Sequence, residues 1–229
     1  MLAKKKKLSK KQIKEDKLVT SYYQAQKFYE DNQSRIFIVV AVVAVIVVAV
    51  FWYNSKVSQQ NTTATTELAR VIPIYDQGSY LEAIDGRPGT NILGLKKIVD
   101  EYGGSDQGEV ARIYLANALY NTGKIDEALN EYDNYSGSND LLAASALAGK
   151  AACYEAKNEK EKAADLFLKA SKIDKLNPQN SDYLLSAAKN YIDSGDMDTA
   201  EELLKEIKAD FSASQAAREV DKYLAYISI

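Results

Sequence analysis

The chain has 229 residues, 46% hydrophobic and 27% charged, with a net charge of −3. It contains no histidine and one cysteine, Cys153. That removes the commonest general base and zinc ligand, and it excludes an intrachain disulfide or a multi-cysteine metal site.

The charge is polarised. Residues 1–35 hold ten Lys and Arg against four acids, a balance of +6, so the remainder carries −9. Such a chain suits two environments, and the mild overall charge makes no case for nucleic acid. This basic segment is expected to be part helical, because Leu18, Tyr22, Ala25 and Tyr29 recur at helical spacing. Three roles fit it: a plain topology signal, an electrostatic contact with anionic lipid, or a docking arm for a cytosolic partner or ribosomal RNA.

Residues 36–53, "IFIVVAVVAVIVVAVFWY", carry no charge over eighteen positions. As a helix they span about 27 Å, close to the ~30 Å hydrocarbon core of a bilayer. Their thirteen Val, Ile and Phe favour insertion by roughly 4–8 kcal/mol. A backbone in lipid must satisfy its own hydrogen bonds, so valine's modest helix propensity in water does not decide the matter. Trp52 and Tyr53 stand where an interfacial aromatic belt would. The run is long for a signal peptide and no A-x-A-like site follows, so an uncleaved single-pass anchor is expected. Positive residues precede it and only Lys56 follows closely, which places the N-terminus in the cytoplasm and the C-terminal part across the membrane. Membrane lipid is thus an expected partner of residues 1–53. Residues 54–66, "NSKVSQQNTTATT", read as a polar linker or an extension of the membrane helix.

Residues 67–212 show a repeat. The stretches 114–132, 149–167 and 186–204 align without gaps, placing small residues at Ala116, Ala151 and Ala188, and large ones three later at Leu119, Tyr154 and Tyr191. Turn residues follow at Gly123, Asn158 and Gly195. Then come Ala128, Ala163 and Ala200, and finally Tyr132, Phe167 and Leu204. This is the pattern of helix hairpins: small residues admit close approach, a left-handed residue caps the first helix, and large residues fill the groove toward the next hairpin. A weaker copy precedes them, with Gly78, Tyr80 and Ala83 in place and a surplus at residues 85–91, "DGRPGTN". Pro73 is expected to kink or shorten that copy's first helix. Residues 213–229 read as a capping helix with Ala216, Val220, Tyr223, Leu224 and Ile227 on one face.

The stretch "GTNILGLKK" at 89–97 has the two glycines of a phosphate loop. However, Leu95 follows Gly94, Ile98 stands where a hydroxyl residue is needed, and no strand precedes. It reads instead as the exit from the insertion into a helix over residues 92–102. Acidic pairs such as Glu201 and Glu202 fall among helix-surface charges, and Cys153 reads as a small buried apolar residue. The expectation is a non-enzymatic chain with no cofactor, no metal and no small-molecule substrate.

The hairpin pattern, above all the "G-K-I-D-E-A" and "G-D-M-D-T-A" turns, resembles the tetratricopeptide repeat (TPR). The middle copy departs from it, with Asn158 for the turn glycine and Lys160 where an apolar residue is usual. The resemblance implies an all-α solenoid, preceded here by one transmembrane helix. It also implies a concave face for protein partners, placed on Ile113, Asn117, Tyr120, Ala152, Glu155, Leu185 and Lys189. The carboxylate-clamp set of some TPR domains is missing, since only Asn117 matches it. The whole arrangement (basic arm, one span, acidic repeat domain outside) resembles the bacterial YfgM-like family, ancillary subunits of the SecYEG translocon in the inner membrane. That resemblance implies an accessory acting on chains emerging on the periplasmic side, with SecY and a membrane-anchored periplasmic prolyl isomerase as partners. The alternative is a structural scaffold of another envelope machine, for outer-membrane assembly, gliding, secretion or division. The insertion loop, Asp85, Gly86, Arg87, Pro88 and Gly89, is expected to be a membrane-proximal contact.

Overall fold

The computed structural model describes the backbone of residues 10–228 and the side chains of residues 19–228, so the lysine cluster at residues 4–7 and the side chain of Leu18 lie outside what is described. The chain divides into two compact units, Met1–Lys56 and Val57–Ile229. The described residues are all-helical, and their one β contact is an isolated antiparallel bridge between Gly86 and Leu93.

Helix α1, Lys10–Asp76, contains the apolar run. Within the first unit the run has a mean hydropathy of 3.1 over eighteen residues and none of it is buried. The helix is long and apolar enough to cross a membrane. Its exposed side chains include Phe37, Ile46, Phe51 and Trp52, a surface that gains free energy only on leaving water. Lys56 lies 5.7 Å from the centroid of the Trp52 ring. The polar residues 54–66 are helical and belong to α1. In water Ser, Thr and Asn compete with the helix backbone. Here Thr62, Thr63, Thr65 and Thr66 each donate to the carbonyl four residues earlier, so their hydroxyls are spent along the helix itself. Pro73 does not shorten the helix, which runs three residues past it. The position lies in the last turn, where little of the hydrogen-bond ladder remains to be lost.

The second unit continues with α2 (Tyr80–Asp85), α3 (Leu95–Tyr102), α4 (Asp106–Asn121), α5 (Ile125–Asp133), α6 (Asp140–Ala156), α7 (Lys160–Ile173), α8 (Asn180–Ser194), α9 (Met197–Asp210) and α10 (Ala217–Ile227). Two of these boundaries differ from the sequence expectation. Helix α3 begins at Leu95 rather than 92, because Leu93 is held in the bridge to Gly86 and Gly94 is extended. Helix α10 begins at Ala217 rather than 213, with Phe211–Ala216 serving as the turn after α9.

Four turns share one geometry. Gly78, Gly123, Asn158 and Gly195 have φ of 77°, 78°, 61° and 92°. In each, the next residue's N–H reaches back to a carbonyl five residues earlier: Ser79 to Ile74, Lys124 to Leu119, Glu159 to Tyr154 and Asp196 to Tyr191. This double-bonded C-cap closes α1–α2, α4–α5, α6–α7 and α8–α9. Asn158 reaches the left-handed region without glycine because asparagine tolerates it better than other residues with a side chain.

The residue five places after each turn, Ala83, Ala128, Ala163 and Ala200, is fully buried, as are Val71, Ala116, Ala151 and Ala188 seven places before. Neighbouring helices therefore touch through residues too small to hold them apart. Larger residues fill the gaps between pairs: Tyr132, Phe167 and Leu204 are all buried. Tyr132 presses on α6 where Gly149 leaves room, and a methyl group there would meet its ring at 2.2 Å. Its hydroxyl donates to Asn117 Oδ1 at 2.5 Å. At the start of the unit Tyr75 meets Tyr80 and Tyr114 edge-on, with centroids 5.3 and 5.0 Å apart. Consecutive helices from α4 to α10 pack on one another, and α10 also touches α8.

Candidate partner-binding cleft

At the C-terminal end of the second unit an open cleft of about 520 Å³ is lined by Glu155 of α6, by Lys189, Ile192 and Asp193 of α8, and by Lys222, Tyr223, Ala225 and Tyr226 of α10. The N-cap of α9 sets its position. Asp196 accepts from Thr199 N, the Gly195 turn sends α9 back along α8, and α10 then returns across both. Val220, fully buried, fixes the rotation of α10 and so delivers Tyr223 and Tyr226 to the cleft.

One wall is basic and aromatic. The ammonium groups of Lys189 and Lys222 lie 5.1 and 5.4 Å from the centroid of the Tyr223 ring. Lys189 also donates to Glu219 Oε2 at 3.2 Å. Burial alone would lower the pKa of Lys189, but its contacts with Tyr223 and Glu219 outweigh that and raise it, so the group is fully cationic at neutral pH. The other wall is acidic. Lys160 lies 3.5 Å from Asp193 and 3.9 Å from Glu155, partly neutralising the pair. Tyr120 of α4 is part-buried beside Glu155, and its phenol is pushed up by burial first and by that carboxylate second. The floor, Ile192, is apolar, and the ring of Tyr226 at the rim is 63% exposed. An aromatic rim over an apolar floor, flanked by both signs of charge, is suited to hold a protein segment, with the rings giving area and the charges orientation.

Of the residues expected to line a partner face, Glu155 and Lys189 meet in this cleft. Asn117, Tyr120 and Ala152 are part-buried on α4 and α6 and do not line it, and Asn117 is engaged by Tyr132. Ile113 and Leu185 correct the expectation: at 6% and 5% exposure they belong to the two core clusters and present nothing to a partner. The insertion loop does not line the cleft. In it Asp85, Arg87, Pro88 and Gly89 are exposed while Gly86 is buried, and Arg87 pairs with Glu82. Gly94, at the end of the phosphate-loop look-alike, passes so close to α2 that a methyl group would sit 2.3 Å from the carbonyl oxygen of Ile84. Lys222, Tyr223 and Tyr226 were the residues the sequence reading missed as a site. Their signal was a lysine beside one tyrosine and four residues before another, on a helix read only as a cap.

Among the described residues no three His, Cys, Asp or Glu converge as a metal site. The thiol of Cys153 is fully buried, and burial pushes its pKa up to about 11, which leaves it protonated at neutral pH. Compared with family models, with characterised proteins and with solved structures, the chain matches none.

Proposed function

We propose that this chain is a membrane-anchored adaptor of the TPR type whose helical unit holds protein segments in the α6–α8–α10 cleft. In the proposed setting it is a YfgM-like accessory at the periplasmic exit of the SecYEG translocon, working beside a membrane-anchored prolyl isomerase. The observation that carries the reading is the fourfold recurrence of one turn geometry with a buried alanine five residues on, attached to a helix able to cross a membrane. Hairpins of this kind cannot bury their apolar faces singly and so stack, leaving a continuous surface for partners. The polarised charge supports the orientation.

Protease added to spheroplasts is expected to degrade Val57–Ile229; its survival would refute the orientation. Purification from mild detergent is expected to bring down SecY and a periplasmic isomerase. Recovery of outer-membrane assembly or division proteins in their place would favour a scaffold of another envelope machine and sink the translocon reading.

A further inference from the structure

The loop between α7 and α8 displays the most exposed large apolar side chain among the described residues, Leu176 at 89%. A single exposed leucine means little by itself. This one is held outward by a built turn. Asp174 Oδ1 accepts from Leu176 N at 2.9 Å, and the carbonyl of Asp174 accepts from Asn177 N at 3.1 Å and from Asn180 Nδ2 at 2.8 Å. Asn177, next to Leu176, is 4% exposed and receives Gln179 N on its Oδ1. The backbone is therefore fixed from 174 to 180, with the leucine at its tip and Ile173, 41% exposed, beside it.

The surroundings are basic in an acidic unit. Lys169, Lys172 and Lys175 are exposed and form no ion pair among the described residues, whereas Lys157, Lys160, Lys162 and Lys189 on either side all do. The acid inside the loop, Asp174, has its carboxylate turned into the loop's own backbone. The nearest exposed acid in sequence is Asp182 on the first turn of α8.

The loop also lies on a particular edge. The chain enters the second unit at Val57, and just beyond, Asn61 Oδ1 accepts from Gln107 N at the start of α4. The loop before α6 reaches the same region, with Ser136 N donating to Glu109 Oε2 at 2.8 Å. Each hairpin turn reverses the chain, so the α7–α8 loop falls on this entry edge and the Gly123, Asn158 and Gly195 turns fall on the opposite one.

We propose that this loop is a second, reversible contact with an anionic lipid surface, Leu176 entering the headgroup layer while Lys172 and Lys175 meet lipid phosphates. The pairing of an apolar tip with free cations, opposed to a negatively charged interface, selects lipid as occupant. The inference rests on the reading of α1 as a membrane anchor, and the test separates the two.

The full chain, carrying Cys153→Ala, is labelled through Leu176→Cys with an environment-sensitive dye and reconstituted into vesicles of phosphatidylcholine with or without phosphatidylglycerol. Parallel labels at Val45→Cys and Ser194→Cys report the span and the opposite edge. Position 176 is expected to shift to the blue with phosphatidylglycerol, to lose the shift on adding Lys172→Gln with Lys175→Gln, and position 194 to stay water-like. In the unsubstituted chain, amine acetylation of Lys172 and Lys175, but not of Lys124, is expected to slow in the same vesicles. A water-like 176 in both vesicles with 45 in lipid overturns this proposal alone, and a water-like 45 overturns the anchor and the loop together. A shift at 176 that appears only when membrane proteins are added assigns the loop to a protein partner and also overturns it.

Discussion

Replacing Arg112 by methionine is expected to destabilise the second unit by about 3–5 kcal/mol. Arg112 bridges two carboxylates, Glu109 Oε1 at 3.3 Å on its own helix and Glu131 Oε2 at 2.8 Å on α5. Glu109 is 5% exposed, and its second oxygen takes the Ser136 N–H at 2.8 Å. Removing the guanidinium strands a buried charge and leaves two carboxylates facing each other, which costs far more than the pair itself contributes. Lysine is expected to restore only part of the loss, because one ammonium does not reproduce the planar fork that reaches both partners. By contrast, Lys208→Met removes the exposed pair with Asp221 at 2.6 Å and is expected to cost less than about 1 kcal/mol. Urea titration followed by helical circular dichroism, on the full chain in detergent, orders the three variants. An Arg112→Met midpoint equal to that of Lys208→Met would show that the buried network carries no weight.

Gly108→Ala is expected to cost about 3 kcal/mol, at the upper end for forced overpacking. A methyl group at Gly108 would sit 1.8 Å from the carbonyl oxygen of Tyr102 and 2.8 Å from Gly103 Cα. Both are backbone atoms at the end of α3, so no side chain can swing aside, and α4 must move off α3 or lose its first turn. That turn is capped by Ser105, whose Oγ accepts from Gly108 N at 3.2 Å, so the cap is lost with it. Gly104, two residues before α4 begins, has nothing within 4 Å, and Gly104→Ala is expected to be nearly neutral. The same titration reads both variants. Equal midpoints would mean that α3 and α4 are not held at the separation described.

The sequence made the helical class and the apolar helix readable because both rest on long, uniform signals: eighteen uncharged residues in one case, and alanine, turn and aromatic positions recurring at hairpin spacing in the other. It misjudged Ile113 and Leu185 for a physical reason. Helix α8 packs against α7, α9 and α10, and α4 against α2, α3, α5 and α6, so neither keeps a single apolar stripe. Ten of the fifteen residues of α8 are buried, Asn180, Ser181 and Asn190 among them. Periodicity does not separate core from groove on such a helix. The cleft was half legible for the same reason. Glu155 and Lys189 declare themselves as charges on otherwise covered helices, while Tyr223 and Tyr226 become site residues only once α10 folds back over α8. The insertion was visible as surplus length. The bridge of Gly86 to Leu93, and the contact that admits only glycine at 94, depend on residues meeting across that loop.

The central claim is that the cleft at α10 engages protein partners at the membrane. Its most direct test is purification of the chain from mild detergent alongside a Lys222→Ala, Tyr226→Ala variant of unchanged helicity. Both side chains are surface groups of the cleft, so the fold has little stake in them. The account predicts that the unsubstituted chain retains SecY and a periplasmic isomerase and that the variant loses most of one or both. Identical partner sets from the two chains, or sets containing neither protein, would contradict it.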